Sequence, residues 1–259
     1  MIRVKPRKSL GQHFLTDKNI ARKIVGSLSL QGYNQLLEIG PGTGVLTEFL
    51  LTIPDMEVRF VEIDRSSVAY LNDHFPAIRE KILAADILKI NLAEQFDGPF
   101  AIIGNFPYNI SSQLFFRILE NRQQVTEVVC MVQKEVARRI ASPPGSKEYG
   151  ILSVLLQAFY HIDYLFSVPP QVFNPPPKVQ SAVIRFTRNE RDELSCDESW
   201  FMKVVKTAFN QRRKVLHNSL KGILPQEKIH DDIFRKRPEQ LGVDDFVRLT
   251  LLAQERSCN

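Results

Sequence analysis

Seven short apolar runs alternate with amphipathic segments through the first two thirds of the chain, and this alternation constrains the fold most strongly. Strands that alternate with helices predict a mainly parallel sheet that is covered by helices on both faces. Because little helical sequence separates the last two runs, we expect an antiparallel strand at one edge. Strands are predicted at 35–40, 57–64, 81–86, 100–105, 127–132, 164–169 and 179–186, and helices at 43–52, 66–74, 111–120, 133–141 and 149–160.

The character of the chain changes at about residue 190. The polar stretch NERDELSCDES predicts a linker, and only helical patterns follow it. We therefore predict an α/β domain over residues 1–190 and a small all-helical domain over residues 191–259.

Positive charge is concentrated in two segments. Residues 1–23 hold seven Lys and Arg against one acid, Asp17, whereas the other 236 residues sum to −1 within a net charge of +5. Residues 203–222 hold six Lys and Arg and no acid. Two basic patches on an otherwise neutral chain favour a polyanionic partner, although basic residues on solvated faces would give the same pattern.

Composition also excludes several classes of protein. No run approaches the ~18 apolar residues of a membrane span, and no apolar segment of a secretory signal follows the basic N-terminus. Cys130, Cys196 and Cys258 have neither metal-ligand spacing nor an even disulfide pattern. We expect a cytoplasmic protein that uses no metal ion. Since no segment indicates an obligate interface, we also expect a monomer.

A glycine-rich turn follows the first predicted strand, with Glu38 two residues before Gly40, Gly42 and Gly44. Such a turn lets a ligand approach backbone N–H groups at the start of a helix. The acid would repel a pyrophosphate, so a dinucleotide fits poorly. S-adenosylmethionine carries a sulfonium and an ammonium group and no phosphate, and we therefore predict it as the cofactor.

Acidic residues also end the next two predicted strands. Glu62, followed by Ile63, is placed to accept hydrogen bonds from ribose hydroxyls, and Asp86, followed by Ile87, could accept from an adenine amino group. Each acid alone is commonly a helix cap. Three such signals at successive strand ends predict a binding site at the carboxyl edge of the sheet.

The fourth strand end carries Asn-Phe-Pro-Tyr at 105–108. Methylation of an exocyclic amino group requires its delocalised lone pair to be aimed at the methyl donor. Hydrogen bonds to the Asn105 side-chain oxygen and the Phe106 carbonyl would do this by position and electrostatics. Pro107 would stiffen the turn and Tyr108 would stack on the extruded base. The alternative interpretation is an ordinary strand-to-helix turn.

A proline-rich stretch before the last predicted strand supplies two more candidates. Phe173 could hold the other face of the target base, although a core aromatic is the alternative. Lys178 could contact a phosphate, or be an ordinary exposed lysine.

Eight segments in a fixed order make the chain resemble the ribosomal RNA adenine dimethyltransferase family, in the branch that acts on small-subunit RNA. They are KSLGQHFLTD (8–17), EIGPGTGVLT (38–47), VEID (61–64), AADIL (84–88), GNFPYNISS (104–112), QKEVARRI (133–140), YGILSVLLQ (149–157) and FNPPPKVQSAV (173–183). Segments 210–220 and 237–241 in the tail are also similar.

The resemblance implies a Rossmann-like, S-adenosylmethionine-dependent methyltransferase fold. It also implies dimethylation of N6 on two adjacent adenosines near the 3′ end of small-subunit (16S) ribosomal RNA, on an immature 30S particle. Gln12, His13 and Leu15 would border the cofactor, alongside Gly40, Glu62, Asp86 and Asn105. The family often has Asn at position 13 and Leu at position 106.

Two other functions fit the same motifs. One is methylation of a large-subunit adenosine of the antibiotic-resistance type, and the other is a mainly non-catalytic role in particle assembly. The basic tail and RPEQL at 237–241 favour the small-subunit branch. RNA contacts are predicted at Lys5, Arg7, Lys8, Lys178, Arg212, Arg213 and Lys214.

Overall fold

The computed structural model describes residues 4–224 and 232–255. The chain forms two compact units. The first comprises residues 1–137 and 161–188, and the second comprises 138–160 and 189–259, each within the described residues. Residues 138–160 thus join the second unit, whereas a single boundary near residue 190 is what the sequence predicts. That the units are independent domains stays a prediction.

The first unit is built on a seven-stranded sheet. Its strands are β2 (Gln35–Ile39), β3 (Glu57–Val61), β4 (Ile82–Leu83), β5 (Phe100–Asn105), β6 (Val125–Gln133), β7 (Tyr160–Val168) and β9 (Ser181–Arg188). Their order is β4-β3-β2-β5-β6-β9-β7. All pairs from β4 to β6 are parallel, and β9 runs antiparallel to β6. The antiparallel strand β9 therefore lies second from the edge, with β7 outside it.

Burial of the central strands explains their sequences. In β5 every residue from Phe100 to Gly104 is buried, and β2 is buried from Leu36 to Ile39. A parallel strand covered on both faces excludes water from both sides, which favours a continuous apolar run over alternation. Their carboxyl ends meet at one edge, where the acidic and glycine motifs follow.

Helices α1 (Lys18–Val25), α2 (Thr47–Leu50), α3 (Arg65–His74) and α4 (Ser111–Glu120) belong to the first unit. Helix α1, which was not among the helices predicted from the sequence, is capped by Asp17, whose carboxylate accepts from the N–H groups of Asn19 and Ile20. It buries Ala21, Ile24 and Val25. Asp64 caps α3 in the same way.

A separate two-stranded sheet joins distant parts of the first unit. Strand β1 (Phe14–Leu15) pairs antiparallel with β8 (Phe173–Asn174), with Phe14 opposite Asn174 and Leu15 opposite Phe173. This pairing brings the N-terminal segment to the proline-rich stretch.

The second unit is helical, as predicted for the tail. It contains α6 (Ile151–Gln157), α7 (Glu198–Asn210), α8 (Leu216–Ser219) and α9 (Val243–Glu255), and the chain enters it within α5 (Lys134–Ala141). Helices α7 and α9 pack together, with the rings of Phe209 and Phe246 stacked at 5.9 Å. Within 4–224 and 232–255, no helix combines the length and apolar character that crossing a membrane requires.

Candidate active site

A cavity lies in the first unit where the carboxyl ends of β2, β3 and β5 meet. It brings together most of the predicted cofactor and reaction residues. Those in its lining are Gln12, His13, Gly40, Gly42, Glu62, Ile63, Asp86, Ile87, Asn105, Phe106, Pro107 and Tyr108. Leu15, Glu38 and Phe173 are instead buried, with 3%, 1% and 3% of their surface exposed.

The glycine turn has the backbone that its residues require. Gly42 has φ +57°, and a Cβ there would lie 2.8 Å from Cε1 of Phe14. Left-handed backbone and lack of space both demand glycine at this position. Gly40 has φ +68° and open space around the position of a Cβ, so a ligand can approach its backbone.

The Glu62 carboxylate is fixed by the backbone of the loops beside it. Its Oε2 accepts from the Gly42 N–H at 3.0 Å and its Oε1 from the Asp64 N–H at 2.8 Å. Burial raises the pKa of Glu62 and the Asp64 charge adds to this, although hydrogen bonds from the N–H groups of Asp64, Gly42 and Ile63 oppose it. Each oxygen has a further lone pair with which to accept from a diol.

Glu38 lies deeper and supports the turn. Its Oε2 accepts from the Thr47 hydroxyl at 2.6 Å. Burial, with a smaller contribution from the Glu62 charge, raises the pKa of Glu38 to about 8. Glu38 is therefore mostly protonated at neutral pH. A protonated carboxyl carries no charge, so this state does not support the predicted role of Glu38 as a charge that selects a cationic ligand.

Two aspartates flank the cavity. Asp86 is half-buried, and its Oδ1 accepts from the Leu88 N–H at 3.0 Å. Asp64 is buried and receives Arg7 Nε at 3.3 Å. Burial alone would raise the pKa of Asp64, but hydrogen bonds from Ser66 and Ser67 and the Arg7 charge lower it overall.

Asn105 has a defined orientation at the end of β5. Its Nδ2 donates to the His13 backbone carbonyl at 2.8 Å. A carbonyl oxygen only accepts hydrogen bonds, so the amide nitrogen must face His13 and Oδ1 is left as the acceptor that the side chain offers. Phe106 is buried, and its N–H donates to the Met131 carbonyl at 3.0 Å. Its ring therefore belongs to the core.

Tyr108 and His13 form a stacked pair, with ring centroids 5.5 Å apart and planes inclined by 27°. The Tyr108 hydroxyl lies 2.5 Å from Oγ of Ser181, and His13 Nδ1 lies 2.7 Å from the Pro175 carbonyl oxygen. Burial raises the pKa of Tyr108, and the Ser181 hydrogen bond opposes this. One face of the tyrosine ring is thus occupied by the imidazole.

The remaining predicted residues lie elsewhere. Phe173 and Leu15 pack in the same buried cluster, and a contact of Phe173 with the base stays a prediction that requires its ring to leave this packing. Arg212 Nη2 donates to the backbone carbonyls of Ser146 and Lys147. The other predicted RNA contacts are exposed at Lys5, Arg7, Lys8, Lys178, Arg213 and Lys214.

The cavity lining also contains residues that were not among the site residues predicted from the sequence. Gly11 has φ +62°, and a Cβ there would lie 2.6 Å from Oδ1 of Asn109. Those added by the structure are Leu10, Gly11, Phe14, Ile39, Val61, Ala85, Leu88, Asn109 and Ile110.

Comparison with known proteins gives a consistent result. Residues 3–257 match the family model described as ribosomal RNA adenine dimethylase. The chain is 56% identical over 259 residues to a Porphyromonas gingivalis protein named ribosomal RNA small subunit methyltransferase A, covering 98% of this chain and 100% of that protein. A Flavobacterium johnsoniae protein of the same name is 55% identical, with 96% of each chain covered.

Two solved structures support the fold. A dimethyladenosine transferase from Plasmodium falciparum has a TM-score of 0.79 at 25% identity and covers 95% of this chain and 98% of its own. The 23S rRNA methyltransferase ErmE has a TM-score of 0.66 at 25% identity and covers 93% and 99%. The predicted Rossmann-like methyltransferase fold with a helical C-terminal region is confirmed.

Proposed function

Because the chain belongs to the ribosomal RNA adenine dimethylase family, we propose that it dimethylates N6 of two adjacent adenosines near the 3′ end of small-subunit ribosomal RNA. The methyl donor is S-adenosylmethionine, and the substrate is an immature 30S particle. The names of the relatives at more than half identity favour the small subunit over the large.

The orientation of the Asn105 amide carries the proposal. With Nδ2 held by the His13 carbonyl, Oδ1 accepts a hydrogen bond from the adenine amino group. The Phe106 backbone carbonyl accepts the second N–H, and the nitrogen lone pair is then aimed away from the ring. Positioning of this kind supplies much of the rate enhancement without a strong general base.

The residues at the cavity fit S-adenosylmethionine. Glu62 accepts from the ribose hydroxyls and Asp86 from the adenine amino group, while Gly40 leaves its backbone open. Gln12 borders the cofactor and His13 lies beside its methionine or adenosine end. The same place for Leu15, which is 3% exposed, stays a prediction. When bound, the cofactor supplies an electrophilic methyl group on a sulfonium. No phosphate has to be accommodated, which suits a site lined by two acids.

Tyr108 serves as the stacking platform for the extruded adenine. Stacking offsets part of the few kcal/mol that unstacking the base costs. Since His13 covers one face of the ring, the base takes the other face, or the imidazole moves aside.

Basic residues outside the cavity hold the RNA backbone. Exposed cations at Lys5, Lys8 and Lys178 in the first unit and at Arg213 and Lys214 in the second are available for phosphates. We propose that the protein acts as a monomer in the cytoplasm, where the particle assembles.

Transfer of labelled methyl groups to purified immature small subunits tests the proposal. We expect N6,N6-dimethyladenosine at two adjacent positions, located by mass spectrometry. A primer-extension stop found only in large-subunit RNA would instead support the antibiotic-resistance type. Binding to the particle without any transfer would support the assembly role and refute the enzyme.

A further inference from the structure

His13 contacts three parts of the site at once. Its backbone carbonyl accepts from Asn105 Nδ2 at 2.8 Å, its ring stacks on Tyr108, and its Nδ1 lies 2.7 Å from the Pro175 carbonyl. Asn105 and Tyr108 end the loop of residues 105–108, here called the reaction loop. Pro175 lies in residues 174–180, here called the proline loop.

The hydrogen bond to Pro175 also shows which role Nδ1 of the imidazole takes. A backbone carbonyl has no proton to donate, so Nδ1 carries the hydrogen. The bond anchors the His13 side chain on the proline loop, directly beside the β1–β8 pairing of Phe14 with Asn174. The His13 carbonyl, and with it the Asn105 amide, is therefore linked through His13 to the proline loop.

The Tyr108 ring is held from two directions. The imidazole covers one face at 5.5 Å, and the hydroxyl is bonded to Ser181, which follows the proline loop. His13 is thus hydrogen-bonded near the start of the proline loop, and Tyr108 is hydrogen-bonded just after its end. Together, the stacking contact and the hydrogen bond to Ser181 restrict the orientation of the Tyr108 ring more than either contact alone.

We propose that His13 is a positioning residue for methyl transfer, which joins the reaction loop to the proline loop through its Nδ1–H and its ring. This role rests on the function proposed above. It is separate from any contact of His13 with the cofactor, because both supporting contacts are made to the protein.

Two substitutions separate the contacts. His13→Asn keeps an N–H donor near the place of Nδ1 and removes the ring, whereas His13→Phe keeps the ring and removes the donor. His13→Ala removes both. A misplaced reacting group can cost up to about 100-fold in rate, so we expect kcat to fall about tenfold or more in His13→Ala and by less in the other two. The KM for RNA should change by less than about twofold, and a rise in the KM for S-adenosylmethionine would measure the cofactor contact of His13 separately from its positioning role.

His74 provides a matched control. Its ring stacks on Tyr70 at 3.8 Å and its Nδ1 lies 3.0 Å from the Tyr70 carbonyl, at the end of α3 and outside the cavity lining. The same three substitutions at His74 should leave kcat unchanged.

The outcomes decide between roles. A wild-type kcat in His13→Ala, or a loss confined to a higher KM for S-adenosylmethionine, overturns the proposal. If His13→Ala does not fold, lower kcat in both His13→Asn and His13→Phe at wild-type melting temperature supports it, and wild-type kcat in both overturns it. An inactive wild-type protein overturns the proposed function together with this inference, which distinguishes the two failures.

Discussion

The Thr47 hydroxyl donates to Oε2 of Glu38 at 2.6 Å, inside the core and beneath the glycine turn. The ordinary pKa of glutamate is about 4.5, and burial raises that of Glu38 to about 8. The folded protein therefore retains a proton that the unfolded chain releases. Between about pH 4.5 and 8 this linkage makes folding less favourable as the pH rises, and above pH 8 the loss is complete.

We expect Glu38→Gln to remove this component of the pH dependence. Gln cannot titrate, so the melting temperature of the variant should fall less between pH 5 and 8 than that of the wild type. The two decreases should differ by several degrees. Thermal unfolding across this range measures it. Glu48→Gln, at an exposed residue paired with Lys18, is the control. Parallel curves for wild type and Glu38→Gln would contradict the buried, protonated state.

Replacement of Asn105 should separate chemistry from binding. Asn105→Ala removes the acceptor for the adenine amino group, and loss of one such hydrogen-bonding group costs about 100-fold or more in kcat. Affinity for the immature particle should stay nearly the same. Single-turnover methyl transfer and filter binding measure the two. Asn34→Ala, at an exposed residue before β2, should resemble the wild type, and a kcat near wild type in Asn105→Ala would exclude Asn105 from the reaction.

The glycine turn permits a comparison of two similar variants. Gly40→Ala introduces backbone strain and a methyl group in the open space where the ligand approaches, whereas Gly42→Ala introduces the strain and a contact at 2.8 Å with Phe14. Strain at a left-handed residue costs about 1–2 kcal/mol, so both variants should bind S-adenosylmethionine more weakly than the wild type. Isothermal titration calorimetry measures the affinities.

The Phe14 contact can be tested in the same series. Adding Phe14→Leu should restore part of the affinity lost in Gly42→Ala and none of that lost in Gly40→Ala. Equal effects of Phe14→Leu in both backgrounds would show that the steric contact is unimportant.

Charge reversal in the second unit should distinguish two neighbouring arginines. Arg212 is bonded to the carbonyls of Ser146 and Lys147 and lies 3.8 Å from Glu239, so Arg212→Glu should lower the melting temperature. Arg213→Glu should leave the melting temperature unchanged and weaken RNA binding. The slope of log affinity against log salt concentration should become shallower by about one for each phosphate contact that is lost. Binding measured at several salt concentrations checks this, and an unchanged salt slope would place Arg213 outside the RNA interface.

Local sequence signals predict which residues lie at the strand ends. Glu62, Asp86 and Asn105 each end an apolar run, and the carboxyl ends of parallel strands converge by topology alone. The sheet order and the place of the antiparallel strand depend on pairing between distant segments. Strands β1 and β8 have two residues each, which is too short for any periodic pattern, and their partners lie far apart in the chain.

Besides the sheet order, the local patterns did not predict the environment of individual side chains. Phe173 is of a type that suits stacking on a base, but it is buried in the core. Arg212 is of a type that suits a phosphate, but it donates hydrogen bonds to backbone carbonyls. Both contacts depend on packing of segments that are not adjacent in sequence. Conversely, the core position of the Phe106 ring agrees with a role for its backbone alone.

The pairing of Leu15 with Phe173 has a consequence for biosynthesis. The described residues that line the cavity lie between Leu10 and Ile110, so they leave the ribosome before Phe173 and Pro175 do. The β1–β8 pairing and the contact of His13 Nδ1 with the Pro175 carbonyl can therefore form only after residue 175 has left the exit tunnel. A nascent chain arrested before that point would hold the residues of the cavity lining without the strand that pairs with the N-terminal segment.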